Sequence, residues 1–237
     1  MPAWAAPPRP RGRVASAQSW LDVTFLHWPV APEAVAGLLP PGVRPDVVDG
    51  RTYVGLIAFR MSRAGLGGLP VPYLGDFLET NVRLYTVDDC DRHGVWFCSL
   101  ESQRLLVALA SRAAVGIPYT WARMQAEASG PHRRYRSTRR WPHRGLRTDL
   151  EIEIGPPVEP TELEVWLTAR WGAHSRIAGR TLWTPNTHPS WPLHSADLVH
   201  LDDELVRAAG VRVDADSMLR PLWSPGVRTT FGPPKAL

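Results

Sequence analysis

Proline and glycine leave this chain little room for a long helix. Its 237 residues include 24 prolines and 19 glycines, spread along the whole sequence. Proline in a helix interior removes a backbone hydrogen bond and clashes with the preceding turn, and glycine readily takes the sharp turns between segments. The chain is therefore cut into many short segments, which favours a β-rich fold.

Read in order, residues 20–28 (WLDVTFLHW) alternate as a strand does, and 77–87 (FLETNVRLYTV) form the clearest strand. Residues 52–61 and 94–100 are apolar on both faces and read as covered strands. Residues 133–141 and 146–154 read as a strand pair, two or three strands are expected within 171–188, and 227–231 is the last. Helices are expected over 32–39, 102–114, 161–171 and 202–210. In the second, Ser102 is the N-cap and Leu105, Leu106, Leu109 and Ala113 form the apolar stripe. The third opens on a capping box, Thr161 with Glu164, and the fourth closes at Gly210. The balance predicts an α+β fold: a mostly antiparallel β-barrel with a few short flanking helices.

Residues 1–17 read as a mobile arm without the apolar h-region of a signal peptide. No apolar run approaches the ~20 residues a membrane helix needs. Two cysteines, Cys90 and Cys98, make no disulfide framework. A cytoplasmic protein with no membrane partner is the expectation from these absences.

On residues 78–86 the side chains separate by face, because strand side chains alternate. Glu79, Asn81, Arg83 and Tyr85 point one way; Leu78, Thr80, Val82, Leu84 and Thr86 point the other. The polar face either meets water or lines a lumen. A second position is fixed by the stretch VGIPYTWARM (115–124). Gly116 can end a helix with positive φ, and Pro118 pushes Ile117 to extended backbone. Tyr119 is the first side chain beyond that corner. Lys235, in the tail, is the chain's only lysine, so a reaction that needs a buried amine must do without one.

Residues 131–147 (PHRRYRSTRRWPHRGLR) are strongly basic, yet Asp149, Glu151 and Glu153 follow closely and the net charge is only +4. A strand with Arg134, Arg136 and Arg140 in water and Tyr135, Ser137 and Arg139 inward is favoured over a nucleic-acid footprint, which needs a broad basic patch. Cys90, His93 and Cys98 lack a fourth zinc ligand, and His188 and His194 lack a nearby acid at ligand spacing. No phosphate loop, dinucleotide fingerprint or nucleophile elbow occurs. His27 shares an apolar strand face and reads as a hydrogen-bonded core histidine. No metal or cofactor is expected.

Seven stretches together resemble the YqjF-like family of bacterial proteins, within the acetoacetate decarboxylase-like superfamily: FLHWPV (25–30), LLPPGVRPDVVDGRTYVGLIAFRM (38–61), ETNVRLYT (79–86), GVWFCSLES (94–102), GIPYTWARM (116–124), LTARW (167–171) and HPSWPL (188–193). The resemblance covers about residues 18–231 as one domain, leaving 232–237 as a tail. It implies a curved β-barrel around a small-molecule cavity. In acetoacetate decarboxylases the corner reads Gly-x-Pro-Lys-Lys, and the first lysine forms a Schiff base. Here Tyr119 and Thr120 stand in place of both lysines. The resemblance places Glu79 and Arg83 in the lumen. Tyr119 can donate a hydrogen bond or act as a general acid, with Glu79 as its partner. Arg83, Asn81, Tyr85, Arg139 and Tyr135 are the expected ligand contacts, the arginines favouring an anion. Two functions follow: non-covalent binding of an anionic or carbonyl compound, or lysine-independent lyase or isomerase chemistry on a keto or enol acid. A homo-oligomer stays open.

Overall fold

The computed structural model describes residues 13–67 and 69–237. The arm expected over 1–17 lies outside the described residues as far as residue 12. Ser16 already belongs to the first strand.

Among the described residues, fourteen strands form one sheet. They are β1 (Ser16–Val30), β2 (Val43–Pro45), β3 (Thr52–Leu66), β4 (Leu69–Pro70), β5 (Phe77–Asp88), β6 (His93–Ser102) and β7 (Tyr119–Ser129). There follow β8 (His132–Trp141), β9 (Arg147–Pro157), β10 (Gly172–Ile177), β11 (Arg180–Thr187), β12 (His194–Asp203), β13 (Leu222–Phe231) and β14 (Lys235–Ala236). Four short helices interrupt them: α1 (Pro32–Ala36), α2 (Leu105–Val115), α3 (Glu162–Thr168) and α4 (Leu205–Ala208).

The spatial order is β14-β11-β10-β6-β7-β8-β9-β12-β13-β1-β3-β5-β2, and β5 also pairs with β6 and β11 with β13, so the sheet closes a ring. The antiparallel expectation needs correction. Strand β6 runs parallel to β7 (Leu100 beside Tyr119) and to β10 (Ala173 beside Val95), so the sheet is mixed. For β6 and β7 the cause is α2, a crossover helix that returns the chain to the same end of the sheet; a tight hairpin can only reverse direction.

Strands β1, β3 and β5 form a wall with both faces covered. Leu26, Trp28, Val54, Leu56, Val82 and Leu84 pack on one face against Tyr135, Leu150 and Ile152. Val23, Phe25, Ile57, Phe59 and Met61 lie on the other. Burying a side chain of this size contributes about 1.5–3 kcal/mol, and the wall collects this on both faces.

The capping box of α3 is present: Thr161 Oγ1 accepts from Glu164 N–H, and Glu164 Oε2 accepts from Thr161 N–H at 2.8 Å. The helix ends at Thr168, short of the expected 171. Helix α2 corrects two expectations. Ser102 is still in β6, and Arg104 occupies the N-cap without a side-chain cap. The stripe of Leu105, Leu106 and Leu109 faces out, with Leu106 61% exposed. Instead Ala108 is buried, Val107 packs on the cavity-side cluster, and Ser111 and Val115 reach the cavity. Small side chains on this face let the helix lie close to the sheet. Helix α4 is also shorter than expected, because Asp202 and Asp203 belong to β12.

Candidate functional site

A cavity of about 300 Å³ opens on the inner face of the wall. Register lays its floor in rows. Glu79 on β5 pairs with Phe59 on β3, Asn81 with Ile57, and Arg83 with Gly55. Residues two apart on a strand share a face, so one row is acidic, one amide and one basic. All three polar residues line the cavity. At Gly55 the approach is close: a Cβ there would lie 3.2 Å from His27 Cδ2 and 3.4 Å from Arg83 Cγ.

Tyr119 reaches the same space from the far side of β6. Gly116 ends α2 in the left-handed region at φ 66°, and Arg112 Nη1 donates to Tyr119 O at 2.9 Å. The corner is thus held from both sides. The Tyr119 hydroxyl donates to Glu79 Oε2 at 2.7 Å, and Asn81 Nδ2 donates to Glu79 Oε1 at 3.2 Å. Glu79 is 2% exposed. Burial pushes its carboxyl up to about 7, against the two hydrogen bonds that pull it down. Burial, and then the Glu79 charge, lift the Tyr119 phenol well above its ordinary value.

Thr120 follows Tyr119 and points away from the cavity. Its Oγ1 donates to Glu101 Oε2 at 2.6 Å. Alternation alone explains this, since Leu100 and Tyr119 face the cavity while Glu101 and Thr120 face the opposite side. Arg139 belongs to that opposite side. Its Nε donates to Glu101 Oε1 at 3.0 Å, and neither residue lines the cavity. Tyr135 is also outside it, buried with Leu150 and Ile152, its hydroxyl donating to Asp22 O. The expectation that Arg139 and Tyr135 contact the ligand is corrected accordingly. Tyr85 is fully buried behind the cavity wall, where its hydroxyl oxygen accepts from Arg83 Nε and Nη2 at 3.2 and 3.1 Å. His27 is the expected core histidine, 2.6 Å from the same hydroxyl, and burial draws its pKa well down.

Arg83 has no carboxylate partner among the described residues; its remaining hydrogen bond goes to Leu167 O at 3.4 Å. The aromatic rim includes Trp20 and Trp191, stacked with centroids 5.9 Å apart. Two cavity residues, His188 and Arg170, are not among the expected site residues, although both lie in stretches that carry the resemblance. His188 follows β11, and burial brings its pKa down to about 4. Arg170 had been placed inside a helix, and only the early end of α3 frees it to turn inward. Buried polar atoms of the lining lack partners among the described residues: Trp20 Nε1, Asn81 Oδ1, Arg170 Nη2, Thr184 Oγ1 and Asn186 Oδ1.

Elsewhere the basic stretch is matched in place. Arg133 pairs with Asp22 at 2.8 Å, Arg134 with Asp149 at 2.7 Å, and Arg136 with Glu127. No cluster of His, Cys, Asp or Glu suited to a metal occurs among the described residues. No helix among them is long and apolar enough to cross a membrane.

The ring-closed mixed sheet with a few short helices is similar in fold to acetoacetate decarboxylase-like proteins. Solved structures agree. An acetoacetate decarboxylase-like enzyme from Sphingomonas wittichii RW1 superposes with a TM-score of 0.66 at 12% identity, over 95% of this chain and 94% of that one. The enduracididine biosynthesis enzyme MppR gives 0.66 at 13% identity, over 100% and 90%. Acetoacetate decarboxylase from Legionella pneumophila gives 0.64 at 13%, over 100% and 92%. The chain itself belongs to the DUF2071 family, described as an uncharacterized conserved protein, whose profile matches residues 17–228. It is 27% identical over 206 residues to the uncharacterized protein YqjF of Bacillus subtilis strain 168, covering 85% of each chain.

Proposed function

We propose that this protein binds a small anionic or carbonyl-containing molecule in the cavity without a covalent bond to it. Arg83 carries this reading: a guanidinium in the cavity wall that no carboxylate of the described residues neutralises. A ligand carboxylate would give it a charge-assisted partner. At the other end, Glu79 and Tyr119 share one hydrogen bond. A protonated Glu79 can donate to the phenol oxygen and release the phenol's own hydrogen to a ligand carbonyl. Closed rings of strands often hold one small ligand, and MppR has been solved complexed with pyruvate. The ion pairs of Arg133, Arg134 and Arg136 weigh against a nucleic-acid role.

Two observations support a reading without a Schiff base: the sequence's only lysine, Lys235, is exposed on β14, and Tyr119 occupies the corner. The second reading, lyase or isomerase chemistry on a keto or enol acid, is favoured by one observation. Glu79 titrates at about 7, which suits a general acid or base at neutral pH.

A thermal-shift panel of keto and hydroxy acids tests the binding reading. A ligand at a hundred times its Kd stabilises by about 2.7 kcal/mol; the shift should shrink in Arg83→Met and in Tyr119→Phe. A shift equal in all three proteins would contradict it. Borohydride with acetoacetate should leave the protein mass unchanged. Turnover of any panel member, abolished in Glu79→Gln with binding retained, would establish the second reading.

A further inference from the structure

Arg170 is unused in that reading. It lies two residues past α3, lines the cavity and is 5% exposed. Its Nε donates to Trp166 O at 2.8 Å, its Nη1 donates to Asp46, and its Cζ sits 3.8 Å from the Trp166 ring centroid. With the side chain held at these points, Nη2 cannot swing away to find an acceptor. It is buried, and no acceptor for it exists among the described residues. A buried charged N–H left unpaired is costly, so this atom marks a place for an acceptor from outside the chain.

Arg83 converges on the same place. Its Nη2 reaches Leu167 O, the carbonyl next to the one Arg170 uses. Both guanidinium groups pack on Tyr85, with Cζ atoms 5.5 and 4.9 Å from the ring centroid. Asp46 is shared between Arg170 and His93, whose Nδ1 lies 2.8 Å from its Oδ2. It balances no more than one of the two guanidinium charges, so at least one is left for a carboxylate.

The opposite end is spaced away from this seat. Arg83 leans toward Tyr85, further along β5 and away from Glu79. Four residues of strand separate the Cα atoms of Arg83 and Glu79 by roughly 13 Å. Phe25 and Ile57, in the row of Asn81, lie between the two ends, and Phe59 and Phe97 line the cavity level with Glu79 and Arg83.

Resting on the binding reading above, we infer that Arg170 is a second ligand-binding guanidinium. With Arg83 it seats a single carboxylate, and the occupant is a monocarboxylate with an apolar, aryl-sized body and a hydrogen-bonding oxygen several bonds away, beside Tyr119. A short 2-oxo acid would span only one end.

Calorimetry with 3-(4-acetylphenyl)propanoate and its carboxamide tests this. Wild type should prefer the carboxylate. Arg170→Lys keeps a cation for Asp46 but loses the fork, and should lower carboxylate affinity about tenfold while leaving the amide unchanged. Asp46→Asn frees the Arg170 charge and should raise the carboxylate preference, so the test survives if the lysine variant fails to fold. An unchanged carboxylate-to-amide ratio in these variants overturns the inference. So does a wild type that ignores the aryl acid. If short keto acids still stabilise the protein and Arg83→Met still weakens them, the broader binding reading stands; if they do not, both fall.

Discussion

Glu79 sets the chemistry of the cavity because it is a carboxyl without a cation. Among the described residues only Tyr119 and Asn81 hydrogen-bond to it, and burial lifts it from an ordinary 4.5 to about 7. Folded protein therefore keeps this proton after the unfolded chain has lost its own. The stability from this group is fully present below about 4.5 and is lost as pH climbs to about 7. The loss amounts to at most about 3 kcal/mol. Urea denaturation of wild type and Glu79→Gln across that window should show the wild type falling relative to the variant; parallel curves would mean that Glu79 is ionised throughout. Arg139 poses the contrasting case. Its buried pairing with Glu101 makes it structural, so Arg139→Met should cost about 3–5 kcal/mol by stranding a carboxylate. Ligand-induced thermal shifts should survive that change, which checks that the charge lies outside the cavity.

The corner between α2 and β7 shows how an element places a residue. Gly116 takes positive φ, and a Cβ there would lie 2.1 Å from Arg176 O. Gly116→Ala should destabilise by at least about 1–2 kcal/mol, measured by urea melts, and should weaken ligand binding by displacing Tyr119. At α3, Thr161→Ala removes a complete capping box and should cost about 1 kcal/mol; no loss would mean the helix is held by packing alone. Local chemistry of this kind was legible in the sequence: the Gly-x-Pro corner, the capping box and the two faces of β5 all rest on neighbours within a few residues. The buried side of α2 was not. Three leucines outweighed Val107, Ala108, Ser111 and Val115 in any reading by hydrophobicity, but close packing on a sheet favours the smaller set.

Across the whole molecule, what escaped the sequence is what ring closure brings together. The parity of β8 was readable, but not which interior its inward face would meet; Arg139 and Tyr135 turn to the other side of the sheet, while Arg170 arrives from a distant loop. The shared wall of β1, β3 and β5 divides a packed core from a cavity whose floor runs from acid to amide to guanidinium. That gradient, without a lysine, is the basis of the proposal that the cavity recognises a carboxylate without a covalent bond. Crystals soaked with 3-(4-bromophenyl)propanoate test it most directly, through the anomalous signal of bromine. The expected result is a bromine peak among Phe25, Ile57 and Phe59 with the carboxylate at Arg83. Bromine found only on the outer surface, with the cavity free of ligand, would contradict the account.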